Sequence, residues 1–290
     1  MHKFLQGAGA VGAALFASFA ITVVGQGVWG VMAMANVALT PAIPWAVAVM
    51  PVVLFALAAF LAGRGWPRAG AAARRALVPL APVSRAGWTW SLVAGGASVV
   101  ALAALWTVMA SLVRVPPNLL PDTRGLPLWT VLPMLLVGIV AAPLTEELAF
   151  RGYAMGLLRR HFGPVAVIVL SSVMFAAAHL TQGLYAPKLV VYLLFGLGLA
   201  TVVQRTGSLL PAMAVHSLGD LTFFTLVWPF DAHRRLVTET GLSGGFVLDV
   251  AILAIAAPLC LLAFRQLLKV TGPARPATPA PSVVSALAAV

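Results

Sequence analysis

Charge is scarce in this sequence. Only 9% of its 290 residues are charged, and only seven are acidic. A soluble domain carries about 25% charged residues. With 61% hydrophobic residues the chain cannot cover a water-facing surface, so its solvent is mostly lipid. Cysteine is almost absent too. The lone Cys260 lies in an apolar run, which excludes an internal disulfide or a thiol metal cluster and reads as a small hydrophobe. Strand alternation is also missing. A membrane barrel alternates polar and apolar residues in strands of about ten, whereas the apolar runs here are continuous, as from Leu92 to Val113. Lipid admits only helices and closed barrels. The fold class is therefore all-α, a polytopic transmembrane helical bundle. No internal repeat is visible, which counts against an inverted-repeat transporter.

The shortage of acids leaves a net charge of +11. Such an excess suits nucleic acid, but the basic residues fall between apolar runs, as the positive-inside rule requires. Membrane lipids are expected partners and nucleic acid is not. A spanning helix needs about 20 apolar residues, and about eight candidates are present, near 9–32, 42–63, 89–113, 127–148, 164–181, 187–204, 208–229 and 244–267. The first is too long for a cleaved signal segment, whose apolar part runs about 7–15 residues, so it is expected to be retained. With the N-terminus in the cytoplasm and eight spans, Lys and Arg divide 13 inside against 5 outside, so both termini are expected to be cytoplasmic. Tryptophans near span ends, Trp66, Trp88, Trp90 and Trp228, fit the membrane interface. The loop from Arg64 to Trp88 holds five arginines and no acid. It serves first as a topology determinant, with gripping of anionic headgroups as a second role.

The expected organisation is three N-terminal helices with a basic cytoplasmic loop over 1–126, a core over 127–230, a last helix over 231–271 and a flexible Pro/Ala/Ser-rich tail over 272–290. Asp122, Asp231 and Glu239 are expected in outside loops, Asp249 at an interface, and His2, His161 and His233 in solvent. Glu146, Glu147, Asp220, His179 and His216 instead fall in or at the ends of spans. A charge at the centre of a spanning helix costs roughly 2.5–3.5 kcal/mol even on a lenient scale, so such groups face a protein interior or wet cavity and default to functional candidates. The bland alternative is that each histidine merely bonds a neighbouring helix and the glutamates sit at the boundary.

Three segments hold these residues. Glu147 and Arg151 are spaced i,i+4 and share a helix face, so they are expected to pair. Glu146 is rotated by about 100° from Glu147; it is expected to point into the bundle, as a candidate general base. Phe175 and His179 share a face across three alanines. His216 and Asp220 do likewise, with Gly219 beside them for close packing. Two chemistries remain open. In one, Glu146, His179 and His216 hold a zinc ion with water in an open position. In the other, Glu146 and His179 activate water without metal while His216 and Asp220 stabilise an oxyanion. Both are water attack on a carbonyl. The span map sets Glu146 at an inner helix end and His179 near an outer one, so a shared site needs the fifth helix short, tilted or shifted.

The patterns Glu146-Glu147-Leu-Ala-Phe-Arg151, Phe175-Ala-Ala-Ala-His179 and His216-Ser-Leu-Gly-Asp220 resemble, in that order, those of the CAAX-protease and bacteriocin-processing family of intramembrane proteases. The likeness covers about 135–225. It implies an endopeptidase with Glu146, His179, His216 and Asp220 as catalytic residues, supported by Glu147, Arg151 and Phe175. It also implies a membrane-associated protein or peptide as substrate, prenylated in the family's best-known activity. Zinc-dependent and metal-independent mechanisms are both argued for this family. Asp220 stands where eukaryotic members use Asn, which suits a metal or supporting role better than a simple oxyanion hole. The composition looks bacterial, so the cell's inner membrane is the expected location. Two rival readings are a proton- or ion-coupled transporter and a non-catalytic membrane scaffold or immunity protein.

Overall fold

The computed structural model describes residues 2–114, 116, 125–231 and 233–272. The expectations for Asp122, Arg124 and the tail from 273 concern residues outside this set. Ten helices are present and, among the described residues, no β-sheet. They are α1 (His2–Leu39), α2 (Trp45–Leu61), α3 (Ala71–Leu77), α4 (Arg85–Leu112), α5 (Leu128–Leu158), α6 (Pro164–Ala178), α7 (Ala186–Thr206), α8 (Leu210–Asp231), α9 (Val237–Thr240) and α10 (Gly244–Thr271). Six of them, α1, α4, α5, α7, α8 and α10, are long and apolar enough to cross a membrane. The other two apolar helices, α2 and α6, have 17 and 15 residues. Large apolar side chains such as Phe16, Phe19, Phe55 and Leu261 point outward, as a lipid solvent requires. The protein is an all-α helical membrane bundle.

Several local expectations need correction. His2 lies in α1 rather than in a loop. The fourth span does not close near 148; α5 continues to Leu158, because pairing and burial of its charged groups remove the reason to stop. Asp231 is not a loop residue but the last of α8. Its side chain is 4% exposed, and it accepts hydrogen bonds from Trp106 Nε1 (2.8 Å) and Arg234. Glu239 pairs with Arg114.

The described residues form two compact units, one from 2–80 and 125–167, the other from 81–116 and 168–272. In the first, α1 packs along α2 and α5, and α2 also packs on α5. Met50, Leu54 and Ala141 form its buried core with Trp29 and Val137 against them. The turn between α1 and α2 is tied by buried Asn36, whose amide donates to Thr40 O and Ile43 O and whose oxygen accepts from Ala46 N. That last bond satisfies one of the orphan donors at the start of α2. In the basic loop, Arg74 donates to the carbonyls of Phe60, Ala69 and Pro67, and Arg75 to Gly63. Those two arginines hold the loop's own backbone.

In the second unit α4 is central, packing on α7, α8 and α10. Gly95 makes this possible: a Cβ there would run into Val215 of α8. Leu102 and Trp106 of α4 form a buried core with Val191 of α7 and Val227 of α8. Serines and threonines in both units bond back to the preceding turn, as Ser98 does to Ala94 O and Thr201 to Leu197 O, which hides their hydroxyls from lipid.

Candidate functional site

The first polar cluster belongs to α5. Pro143 cannot donate into the helical ladder. Thr145 bonds back to the carbonyls of Ala141 and Ala142 at 3.0 Å. From Glu147 to Ala154 the backbone winds as a π-helix, a wider form found mostly at functional sites. Within it Arg151 Nη1 lies 3.0 Å from Glu147 Oε1, both side chains wholly buried. Such a pair needs both members, because either alone would be an uncompensated charge in an apolar interior.

Glu146, one residue earlier, is 7% exposed and has a different partner. Gln26 of α1 donates its amide to Glu146 Oε1 at 2.5 Å. The approach depends on Gly25, where a Cβ would strike the Thr145 side chain. Glu147 pairs directly with Arg151, and Glu146 accepts from the Gln26 amide beside that same pair. Glu146 lies inside a helix of 31 residues, not at its end.

The second cluster belongs to the other unit. Its histidines lie on α8 and just beyond α6. His179 opens a 3₁₀ turn, His179–Gln182, at the end of α6. Its Nδ1 lies 2.8 Å from Phe175 O. A carbonyl only accepts, so in this contact Nδ1 carries a hydrogen. Tyr192 of α7 stacks on the ring at 3.8 Å and 25°. His216, 3% exposed, meets the rings of Phe175 and Phe195 edge-on at 5.7 Å and 5.2 Å. Its Nε2 is 3.7 Å from Asp220 Oδ1, an ion-pair separation rather than a hydrogen bond. Phe175 also contacts His179, at 4.8 Å between centroids, so one phenyl ring touches both imidazoles. Gly219 packs beneath Phe195, where a Cβ would come within 2.8 Å of the ring.

The structure therefore brings Glu147 to Arg151, His216 to Asp220, and Phe175 to both histidines. Among the described residues, no three His, Cys, Asp or Glu side chains are grouped to hold a metal ion. No catalytic step below is routed through a metal. Three residues that sequence reasoning missed are Gln26, Tyr192 and Phe195. A lone amide or phenol within an apolar span is itself a signal, since its polar end must find a partner there; Gln26 and Tyr192 both carry it. Phe195 carries none.

Ionisable side chains buried in apolar helices define the class, an integral membrane protein with embedded polar clusters. Residues 127–222 match the family model described as Type II CAAX prenyl endopeptidase Rce1-like. Over that segment, about a third of the chain, the sequence is similar to the type II CAAX prenyl endopeptidases, and the match supports a membrane-embedded endopeptidase. The matched stretch contains Glu146, Glu147, Arg151, Phe175, His179, His216 and Asp220. No curated protein and no solved structure matches the chain.

Proposed function

We propose that this protein hydrolyses a peptide bond in a membrane-associated protein or peptide, with Glu146 as the acid/base that activates water. The observation that carries this is the burial of Glu146 beside the Glu147–Arg151 pair, with its carboxylate oriented by the Gln26 amide. In this reading Glu146 takes a proton from water and the hydroxide oxygen attacks the scissile carbonyl carbon. The family resemblance gives His179 an assisting role in the proton transfer. His216, supported by Asp220, stabilises the tetrahedral oxyanion. Collapse breaks the carbon–nitrogen bond, and Glu146 returns its proton to the leaving amine, so every proton is accounted for.

General acid–base catalysis contributes about 10²–10⁴-fold. Cleavage of a reporter peptide in proteoliposomes is expected to fall by that order in Glu146→Gln while the protein stays folded. Parallel reporters with and without a prenylated cysteine identify the substrate class. Elemental analysis of the active protein decides whether zinc takes part. Proton-coupled uptake by vesicles that show no peptidase activity overturns the reading.

A further inference from the structure

Within the first unit a second, unassigned feature lies where the N-terminal part of α1 meets the end of α5. The sequence of α1 there is Gln6-Gly-Ala-Gly-Ala-Val-Gly-Ala-Ala14, a surface of small side chains. Helix α5 ends on Leu157-Leu158 and is followed at once by Arg159-Arg160-His161. Between these segments is a cavity of about 300 Å³. Gly9, Ala10, Ala13 and Leu157 form its apolar wall, and Arg160 and His161 its polar end, with Gln6 beside them. Among the described residues no acidic side chain lines it, and Arg160, which lines it, has a buried Nε with no hydrogen-bond partner. Nearby, Phe162 packs on Gly7 of α1, 3.2 Å from where a Cβ would lie.

From this geometry we infer a binding site for one anionic phospholipid. Its phosphodiester is held by Arg160 and His161, and its first acyl carbons lie along Gly9, Ala10 and Ala13. The position at the end of a spanning helix is that of a headgroup. Guanidinium is the donor best matched to phosphate oxygens, and a wall without side-chain bulk admits a chain between helices. The volume lies at the small end of ligand cavities, about 300–1,000 Å³, enough for a headgroup and the start of a tail. The site shares no residue with the proposed catalytic groups and stands or falls independently of them.

The test uses the purified full chain in mild detergent with equimolar phosphatidylglycerol and phosphatidylcholine, the retained lipid being counted by native mass spectrometry. Wild-type protein is expected to retain phosphatidylglycerol preferentially. One cation at a membrane surface contributes about 1 kcal/mol to such attraction, so Arg160→Gln is expected to lower the preference about fivefold, while Arg160→Lys keeps most of it. Ala13→Phe fills the apolar wall and is expected to reduce retention with both cations in place. Thermal unfolding of each variant shows that only folded protein is compared. Equal retention of the two lipids overturns the site, and so does an unchanged preference in Arg160→Gln. A preference lost in Arg68→Gln instead moves the lipid to the basic loop and equally overturns it. Inorganic phosphate that displaces the lipid at millimolar concentration shows an anion site without a chain, and refutes the lipid assignment.

Discussion

Gln26 and Arg151 illustrate two ways of keeping a glutamate inside an apolar helix. The Gln26 amide gives Glu146 a neutral donor across 120 positions of sequence. A hydrogen bond to a charged group contributes about 1.5–3 kcal/mol. Gln26→Ala is expected to lower kcat/KM on a reporter peptide by about tenfold or more, together with a loss of stability of about 1.5–3 kcal/mol. Full activity in that variant removes Gln26 from the site. Arg151 works differently, since it cancels the charge of Glu147 at zero exposure. Removing one partner of such a pair costs about 3–5 kcal/mol, whereas replacing both by apolar residues is often neutral. Glu147→Gln and Arg151→Met are each expected to lower the unfolding midpoint sharply in detergent, and Glu147→Leu with Arg151→Met to recover most of the loss. A double variant as unstable as the singles shows that the pair is not what holds this turn. Neither Gln26 at Glu146 nor Tyr192 at His179 was deducible by pattern. Spacing reveals i,i+4 neighbours such as Glu147 and Arg151, but Gln26 and Tyr192 come from other helices, and a single polar residue has no period.

At the scale of elements, the positions of the apolar helices were legible because lipid enforces length and hydrophobicity together. All eight expected segments correspond to helices, α1, α2, α4 to α8 and α10. What could not be read was how a helix ends or changes winding. Helix α5 runs ten residues past its expected end near 148, through a π-helical stretch that side-chain periodicity at 3.6 residues does not reveal. Its charged residues looked like a terminus only while their partners were unknown. Close helix contacts were half legible. Gly219 was expected to pack tightly from its place beside His216 and Asp220, but Gly25 lies in a run with many small residues and nothing marks it. Its importance can be tested directly. Gly25→Ala introduces a methyl against Thr145 Cγ2, and overpacking of this kind costs about 1–3 kcal/mol. The contact belongs to the same α1–α5 interface as the Gln26–Glu146 bond, so both the unfolding midpoint and the peptidase rate are expected to fall. Thr145→Ser removes that Cγ2 while keeping the hydroxyl that bonds to Ala141 O, and should partly restore both. Additive losses in the double variant place the effect elsewhere than at this contact.

For the whole molecule the question is how many helices cross. Helices α2 and α6, at 17 and 15 residues, are about 26 and 23 Å long at 1.5 Å per residue, against a hydrocarbon core of about 30 Å. If all eight apolar helices cross, Lys and Arg divide 13 inside to 5 outside. If α2 and α6 do not cross and the N-terminus stays inside, the basic loop after α2 and the Arg159-Arg160 turn change sides, and the division becomes 7 inside to 11 outside. Both counts are even, so both leave the two termini on one side and labelling the ends cannot separate them. The loop can. The positive-inside rule disfavours the second arrangement, and a short helix is accommodated by local thinning of the bilayer at modest cost. The natural sequence holds one cysteine, Cys260, so Cys260→Ala gives a background free of thiols. In that background Arg68→Cys, an outward-facing position of the loop, is expected to react with a membrane-impermeant maleimide only when the cytoplasmic face is open. Arg235→Cys, between α8 and α10, is expected to react from the opposite face. Labelling of both from the same face means that α6 does not cross, and labelling of Arg68→Cys from the outer face means that α2 does not; the charge distribution would then need another cause, such as the anionic lipid that Arg160 is inferred to hold.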